Sequence, residues 1–246
     1  NALKAKGLDE NTLVVFSSDH GPAPYAGNIL EATPAQIHQL EAKGHYPSGP
    51  HRGYKFSVYE GGLHVPLIAR WAGVIPEGQT CDALVGLNDL FATFADLANA
   101  KLDLNEGPDS ISFASLLRNP KAKGTRQNLV MQSVVSFVVR DGNWKLCLCP
   151  GSGTNANSEN AAGSDPMPNE AWKRALDQFE GKPANPDLLR TPFVQLYNLA
   201  KDPHEDNNLA AVHPERVEQM VAILQAQVAN GRSTPGPNLN NDKNVK

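Results

Sequence analysis

The sequence predicts an α/β domain built on a mixed or parallel sheet flanked by helices, followed by a small antiparallel lobe with a packing helix. Three observations carry that prediction. Thr12–Ser17 is a short continuous run of β-branched and aromatic residues, the pattern of a strand buried on both faces. From Asn88, Leu90, Phe91, Phe94, Leu97 and Ala98 fall on one side of a helix. Between residues 128 and 150 the style changes to short strand-like runs separated by turn signals.

Taken in order, Leu3, Lys4, Lys6 and Gly7 read as the last turn of a helix and the residue beyond it. The chain is therefore expected to begin inside an element of something longer. Thr33-Pro34 opens a helix with Ile37 and Leu40 on one face and Gly44 as its stop. A Gly/Pro/His-rich segment leads to a strand at His64–Trp71, and "SISFASLLRNP" predicts a short helix that Pro120 ends. "NLVMQS", "SFVVRDG" and "WKLCLCP" predict three strands, with Asp-Gly at the tip of a hairpin in "VRDGNWK". Residues 150–170, rich in Gly, Ser, Asn and Pro, read as a surface loop. "FVQLYNLAKDP" adds a strand and a turn. Val217, Met220, Val221, Leu224 and Val228 mark an amphipathic helix between Pro214 and Gly231, and the polar tail beyond is expected to be disordered. The expected division is 1–120, 121–231 and 232–246.

Composition narrows the class. The balance of 40% hydrophobic and 20% charged residues is that of a globular chain. With 22 Lys+Arg against 26 Asp+Glu, the net charge of -4 argues against a nucleic-acid partner. No apolar run approaches a membrane span and no signal peptide is visible, so no membrane partner is expected. Cys81, Cys147 and Cys149 do not form a disulfide framework. The last two, two apart on a strand, read as packing residues on one face.

Two clusters carry chemistry. "LVVFSSDHGP" ends a strand on Asp19 and His20 beside a glycine. A plain turn explains them, since Asp and Gly are common turn formers. Ligation of a hard cation explains them as well, although calcium takes six to eight oxygens and two ligands are only part of such a shell. The second cluster, "GPHRGYKFSVYEGG", sets His51, Arg52 and Lys55 around Gly53. Compact cations on a glycine-bearing loop suit a tetrahedral oxyanion, and a solvated basic loop is the simpler alternative.

In series, "SSDHG", "HRGYK", "EGGLHVPLIARWAG" and "LYNLAKDPHEDNNLA" make a sequence that resembles the sulfatase family, whose fold resembles alkaline phosphatase. The match covers most of residues 1–120 and the "FVQLYNL" region, and reads as the C-terminal portion of such an enzyme. The resemblance implies Asp19 and His20 as metal ligands, His20 standing where Asn is commoner, and Lys55 as the catalytic lysine that holds the sulfate group. His51 and Arg52, beside Lys55, are read as substrate-facing residues that the motif itself does not assign, and His64, standing where Arg is frequent, as a structural or substrate-side residue. It implies Ca2+ or Mg2+ as cofactor and a sulfate ester, of a sugar or an aryl alcohol, as substrate. The family's nucleophile is a formylglycine made in a "CxPSR"-like motif. Here Cys81 is followed by "DALV" and Cys149 by "PGSG". Nucleophile and first aspartate pair are therefore expected in an N-terminal part of the same enzyme, and the isolated chain is expected to hydrolyse nothing. The family suggests a periplasmic or secreted protein. A phosphoester or phosphonate hydrolase of the same superfamily and a non-catalytic module that binds sulfated glycans are the competing readings.

Overall fold

The computed structural model describes residues 2–23, 40, 43–133, 136–153 and 192–241. The predicted helix at Thr33 and the predicted loop at 150–170 lie largely outside them. The chain divides into two units: Asn1–Ser17, Leu67–Leu129 and Val221–Lys246 form the first, and Ser18–Pro66 with Val130–Met220 the second.

In the first unit, α1 (Ala2–Ala5) is the expected helix end, closed by the Gly7 amide donating to the Lys4 carbonyl at 3.1 Å. Strand β1 (Val14–Ser17) pairs antiparallel with β2 (Leu67–Arg70). The apolar run of β1 suggested burial on both faces; instead its side chains alternate between exposed and half-buried. Phe16 and Ile68 face each other across the pair at 61% and 59% exposure. Among the described residues each of these strands has a single neighbour, and period-2 alternation leaves one face uncovered. The second helical stripe becomes α3 (Asp89–Leu97), whose own Asp89 side chain is almost wholly buried. That carboxylate accepts from the Gly86 and Ile111 amides at 2.8 Å each and pairs with the buried Arg126 guanidinium. The short helix forms as α4 (Ala114–Arg118). The expectation of a disordered tail from Arg232 is corrected as far as Asn241. Arg232 is buried, its Nη2 donates to the Leu104 carbonyl at 2.7 Å, and the Thr234 amide donates to the Pro108 carbonyl at 3.1 Å. A guanidinium with five donors found enough carbonyls to order the chain around it.

From Val130 on, the second unit holds the four-stranded sheet, order β3-β4-β5-β6: β3 (Asn128–Ser133), β4 (Ser136–Asp141), β5 (Trp144–Leu148) and β6 (Val194–Asn198). The β4–β5 hairpin pairs Asp141 with Trp144, so Gly142 and Asn143 form its tip, one residue later than the Asp-Gly signal suggested. Gly142 has φ +56°, which a two-residue hairpin turn demands at its first central position. Beneath the sheet Val58, Tyr59, Val138, Cys147, Cys149 and Tyr197 make one apolar cluster, so both strand cysteines pack as expected. Helix α5 (Pro214–Asn230) buries Met220 completely. Its first turn is tied to the hairpin by Arg216, whose Nη2 lies 2.5 Å from Asp141 Oδ2, and Gly231 closes it at φ +63°.

Candidate active site

All six residues singled out in the sequence lie in the second unit. Backbone hydrogen bonds join the segments that carry them. Past β1 the chain turns through Asp19, His20 and Gly21. The Gly21 amide donates to the Gly62 carbonyl at 3.0 Å, and the Lys55 amide donates to the Pro22 carbonyl at 3.0 Å. The Gly61 amide donates to the Arg52 carbonyl at 2.8 Å. The turn at Asp19, the loop at Lys55 and the short helix α2 (Glu60–Leu63) are thus one woven patch. Glycine makes the weave possible: a Cβ on Gly21 would overlap the Gly61 carbonyl, and a Cβ on Gly61 would overlap the Gly53 carbonyl.

Asp19 projects into solvent, its side chain 84% exposed, and Oδ2 lies 3.2 Å from His20 Nε2. His20 Nδ1 lies 2.7 Å from the Gly21 carbonyl oxygen. A carbonyl only accepts, so Nδ1 carries the proton and Nε2 turns toward the carboxylate. An imidazole that donates one ring N–H to a backbone carbonyl while offering the other nitrogen is the usual arrangement of a metal-binding histidine. The pair therefore fits part of a cation's shell. Among the described residues no group of three or more His, Cys, Asp and Glu side chains converges as a complete metal site.

On the second loop, Lys55 Nζ lies 5.1 Å from the centroid of the Phe56 ring. Phe56 has φ +76°, a left-handed conformation that disfavours a bulky side chain and persists only where the surroundings enforce it. The Arg52 guanidinium sits 4.3 Å from the centroid of Tyr59, and Nη1 donates to the Glu205 carbonyl at 3.1 Å. The rings of His51 and His64 lie 4.8 Å apart, and His64 Nδ1 lies 3.3 Å from Glu60 Oε2.

Beneath this face is a charged core that the sequence reading missed. Lys145 is fully buried in β5, with Nζ 2.9 Å from Glu60 Oε1 and 2.8 Å from Glu205 Oε1. Arg140 stands 3.6 Å from Glu60 Oε2. Burial pushes the Glu60 carboxyl up, but the Lys145 charge, the contacts from His64 and Lys145, and Arg140 outweigh it, and the group is held well below the usual carboxylate range. Burial opposes the charge on Lys145 too, yet two carboxylates raise its pKa. For Glu205, burial is the larger influence and its pKa rises. Glu205 also closes the start of α2. Tyr59, at the N-cap, offers no side-chain bond there, and Glu205 Oε2 accepts the Glu60 amide at 2.6 Å instead. The signal for these residues was present as a lysine inside an otherwise apolar strand and a glutamate after a turn. Neither shows its partner locally.

The comparisons with known proteins agree with one another. The family model described as Sulfatase matches residues 1–100. The N-acetylgalactosamine-6-O-sulfatase of Bacteroides thetaiotaomicron is 31% identical over 92% of this chain and 38% of its own length. The ulvan-active sulfatase of Formosa agariphila is 27% identical over 89% of this chain and 39% of its own. A solved structure from Bacteroides thetaiotaomicron, reported with the metabolism of multiple glycosaminoglycans, superposes with a TM-score of 0.69 at 28% identity, covering 92% of this chain and 40% of that one. The fold of the Pseudoalteromonas sulfatase PsFucS1 superposes at 0.64. The chain spans about 40% of the length of these two curated relatives, and it shares the alkaline-phosphatase-like fold of the solved sulfatases. With motifs, backbone weave and relatives in agreement, the chain belongs to the sulfatase family and matches the C-terminal portion of its members.

Proposed function

We propose that the protein carrying this sequence hydrolyses sulfuric esters, with a sulfated sugar as its substrate class. The observation that supports it most is the 3.0 Å bond from the Lys55 amide to the Pro22 carbonyl, which ties the lysine's loop to the turn of Asp19 and His20. In this reading Asp19 and His20 contribute part of the shell of a divalent cation, Ca2+ or Mg2+. That cation would polarise sulfuryl oxygens when bound. Lys55, a compact charge with three donors, opposes the negative charge that grows on the sulfuryl oxygens as the bond to the leaving alcohol lengthens. His51, Arg52 and His64 stand on the side of that alcohol. The sequence contains no "CxPSR"-like motif, so no step is assigned to a formylglycine within these residues. The sugar class rests on relatives named for N-acetylgalactosamine and ulvan sulfates. Export to the periplasm or beyond goes with such substrates.

The test is Lys55→Ala in the complete protein, assayed on N-acetylgalactosamine 6-sulfate and on 4-nitrophenyl sulfate. Turnover should fall by roughly 100-fold or more, the scale of removing one preorganised charge partner. The melting temperature should stay within about 2 °C, as expected for a surface substitution. Turnover close to wild type would remove Lys55 from the machinery.

A further inference from the structure

The turn after β6 reaches Arg52, His51 and helix α2 at once. Glu205 sits in it with φ +62°, a conformation unfavourable for a side chain with a Cβ, and is completely buried. Its carboxylate meets Lys145 at 2.8 Å and the Glu60 amide at 2.6 Å, while its carbonyl accepts from Arg52 at 3.1 Å. The Pro203 carbonyl lies 3.4 Å from His51 Nδ1. The turn itself is braced by Asp202. Its carbonyl accepts the Glu205 amide at 3.2 Å, and its carboxylate accepts the amides of Asp206 and Asn207 at 3.1 and 2.8 Å. No residue of the turn belongs to the proposed catalytic set. Strain held by so many fixed contacts is characteristic of a segment that positions others.

We infer that the Asp202–Glu205 turn is a positioning device: it fixes Arg52, His51 and the first turn of α2, and through them the side of the site that receives the leaving sugar. Glu205 and Asp202 are positioning residues that touch no substrate. The inference rests on the sulfatase reading for its kinetic consequence, and on geometry alone for its structural one. Loosening the turn takes its carbonyl contacts away from Arg52 and His51, which weakens sugar binding. It leaves the Lys55 loop attached to Pro22, and so leaves the chemistry at sulfur.

The experiment compares Asp202→Ala and Glu205→Gln in the complete protein. Asp202→Ala removes the carboxylate part of the brace without disturbing a buried charge, so it carries the test if Glu205→Gln does not fold. Amide hydrogen exchange should speed by about tenfold or more at Glu60 and Gly61 while Leu146 and Cys147 in β5 keep their wild-type rates, the mark of local rather than global opening. With N-acetylgalactosamine 6-sulfate, KM should rise by roughly fivefold or more while kcat stays within about twofold, a loss of uniform binding. With 4-nitrophenyl sulfate, which has no sugar to hold, kcat/KM should stay within about twofold on the same reasoning. Unchanged exchange at Glu60 and Gly61 overturns the positioning role. Equal losses on both esters overturn its restriction to the sugar side. If the wild-type protein turns over neither ester, the sulfatase reading fails and the exchange data still decide the role of the turn.

Discussion

At the scale of single residues, Lys145 is a side chain whose loss bears on folding. It is fully buried between two carboxylates, of which Glu205 is completely buried and Glu60 nearly so. Replacing a buried pair by apolar groups of equal volume is often harmless, whereas removing one member leaves an uncompensated charge. Lys145→Met should therefore lower the unfolding free energy by about 3–5 kcal/mol, measured by urea denaturation. A loss below about 1 kcal/mol, the range of an exposed pair, would show that the three charges are not desolvated together. Lys55 belongs to the opposite category. It sits half-exposed on its loop, and its substitution should cost turnover rather than stability.

At the scale of elements, helix α2 shows how four residues are kept helical when isolated helices of that length are unstable in water. Its first amide is satisfied by Glu205, Tyr59 at its N-cap donates to Gln195 Oε1 at 3.1 Å, and Gly61 lies against the Arg52–Gly53 backbone. Gly61→Ala would drive a methyl into the Gly53 carbonyl, which is main chain and has no rotamer to change. The expected cost is about 1–3 kcal/mol of stability, typical of overpacking, together with loss of turnover as the loop at Lys55 shifts. A melting temperature and a rate both at wild-type values would mean that the patch is looser than its hydrogen bonds suggest. The sheet elements were easier to foresee. β3 coincides with "NLVMQS" and α5 lies between the Pro214 and Gly231 signals, because alternation, helical period and end residues act locally. The β4–β5 turn was foreseen one residue early, since Asp-Gly is a strong signal but register is decided by which side chains reach the core.

At the scale of the whole molecule, the buried charges set a pH dependence. Glu60 has a folded-state pKa below its ordinary value of 4.5, so the folded form binds its proton more weakly than the unfolded form. Its stabilising contribution is complete above pH 4.5 and is lost as pH falls toward the depressed folded value. Glu205 is raised and has the opposite sign, contributing most in acid. The difference in urea midpoint between wild type and Glu60→Gln isolates the first effect. It should be largest near pH 7 and shrink below about pH 4.5, where the wild-type carboxyl takes up a proton in the unfolded state. A gap that stays constant down to pH 3 would remove Glu60 from the acid-side stability. The sequence by itself determined the fold class, the strands of the antiparallel sheet, the closing helix and the four ordered motifs, because each is written in near-neighbour spacing or in short quoted blocks. Only the tertiary structure decided that Glu60, Lys145 and Glu205 share one buried site, that the Asp202–Glu205 turn holds Arg52 and His51, and that β1 meets β2 antiparallel. Glu60 and Lys145 stand 85 positions apart, and no local period relates residues whose pairing depends on where a whole sheet places them.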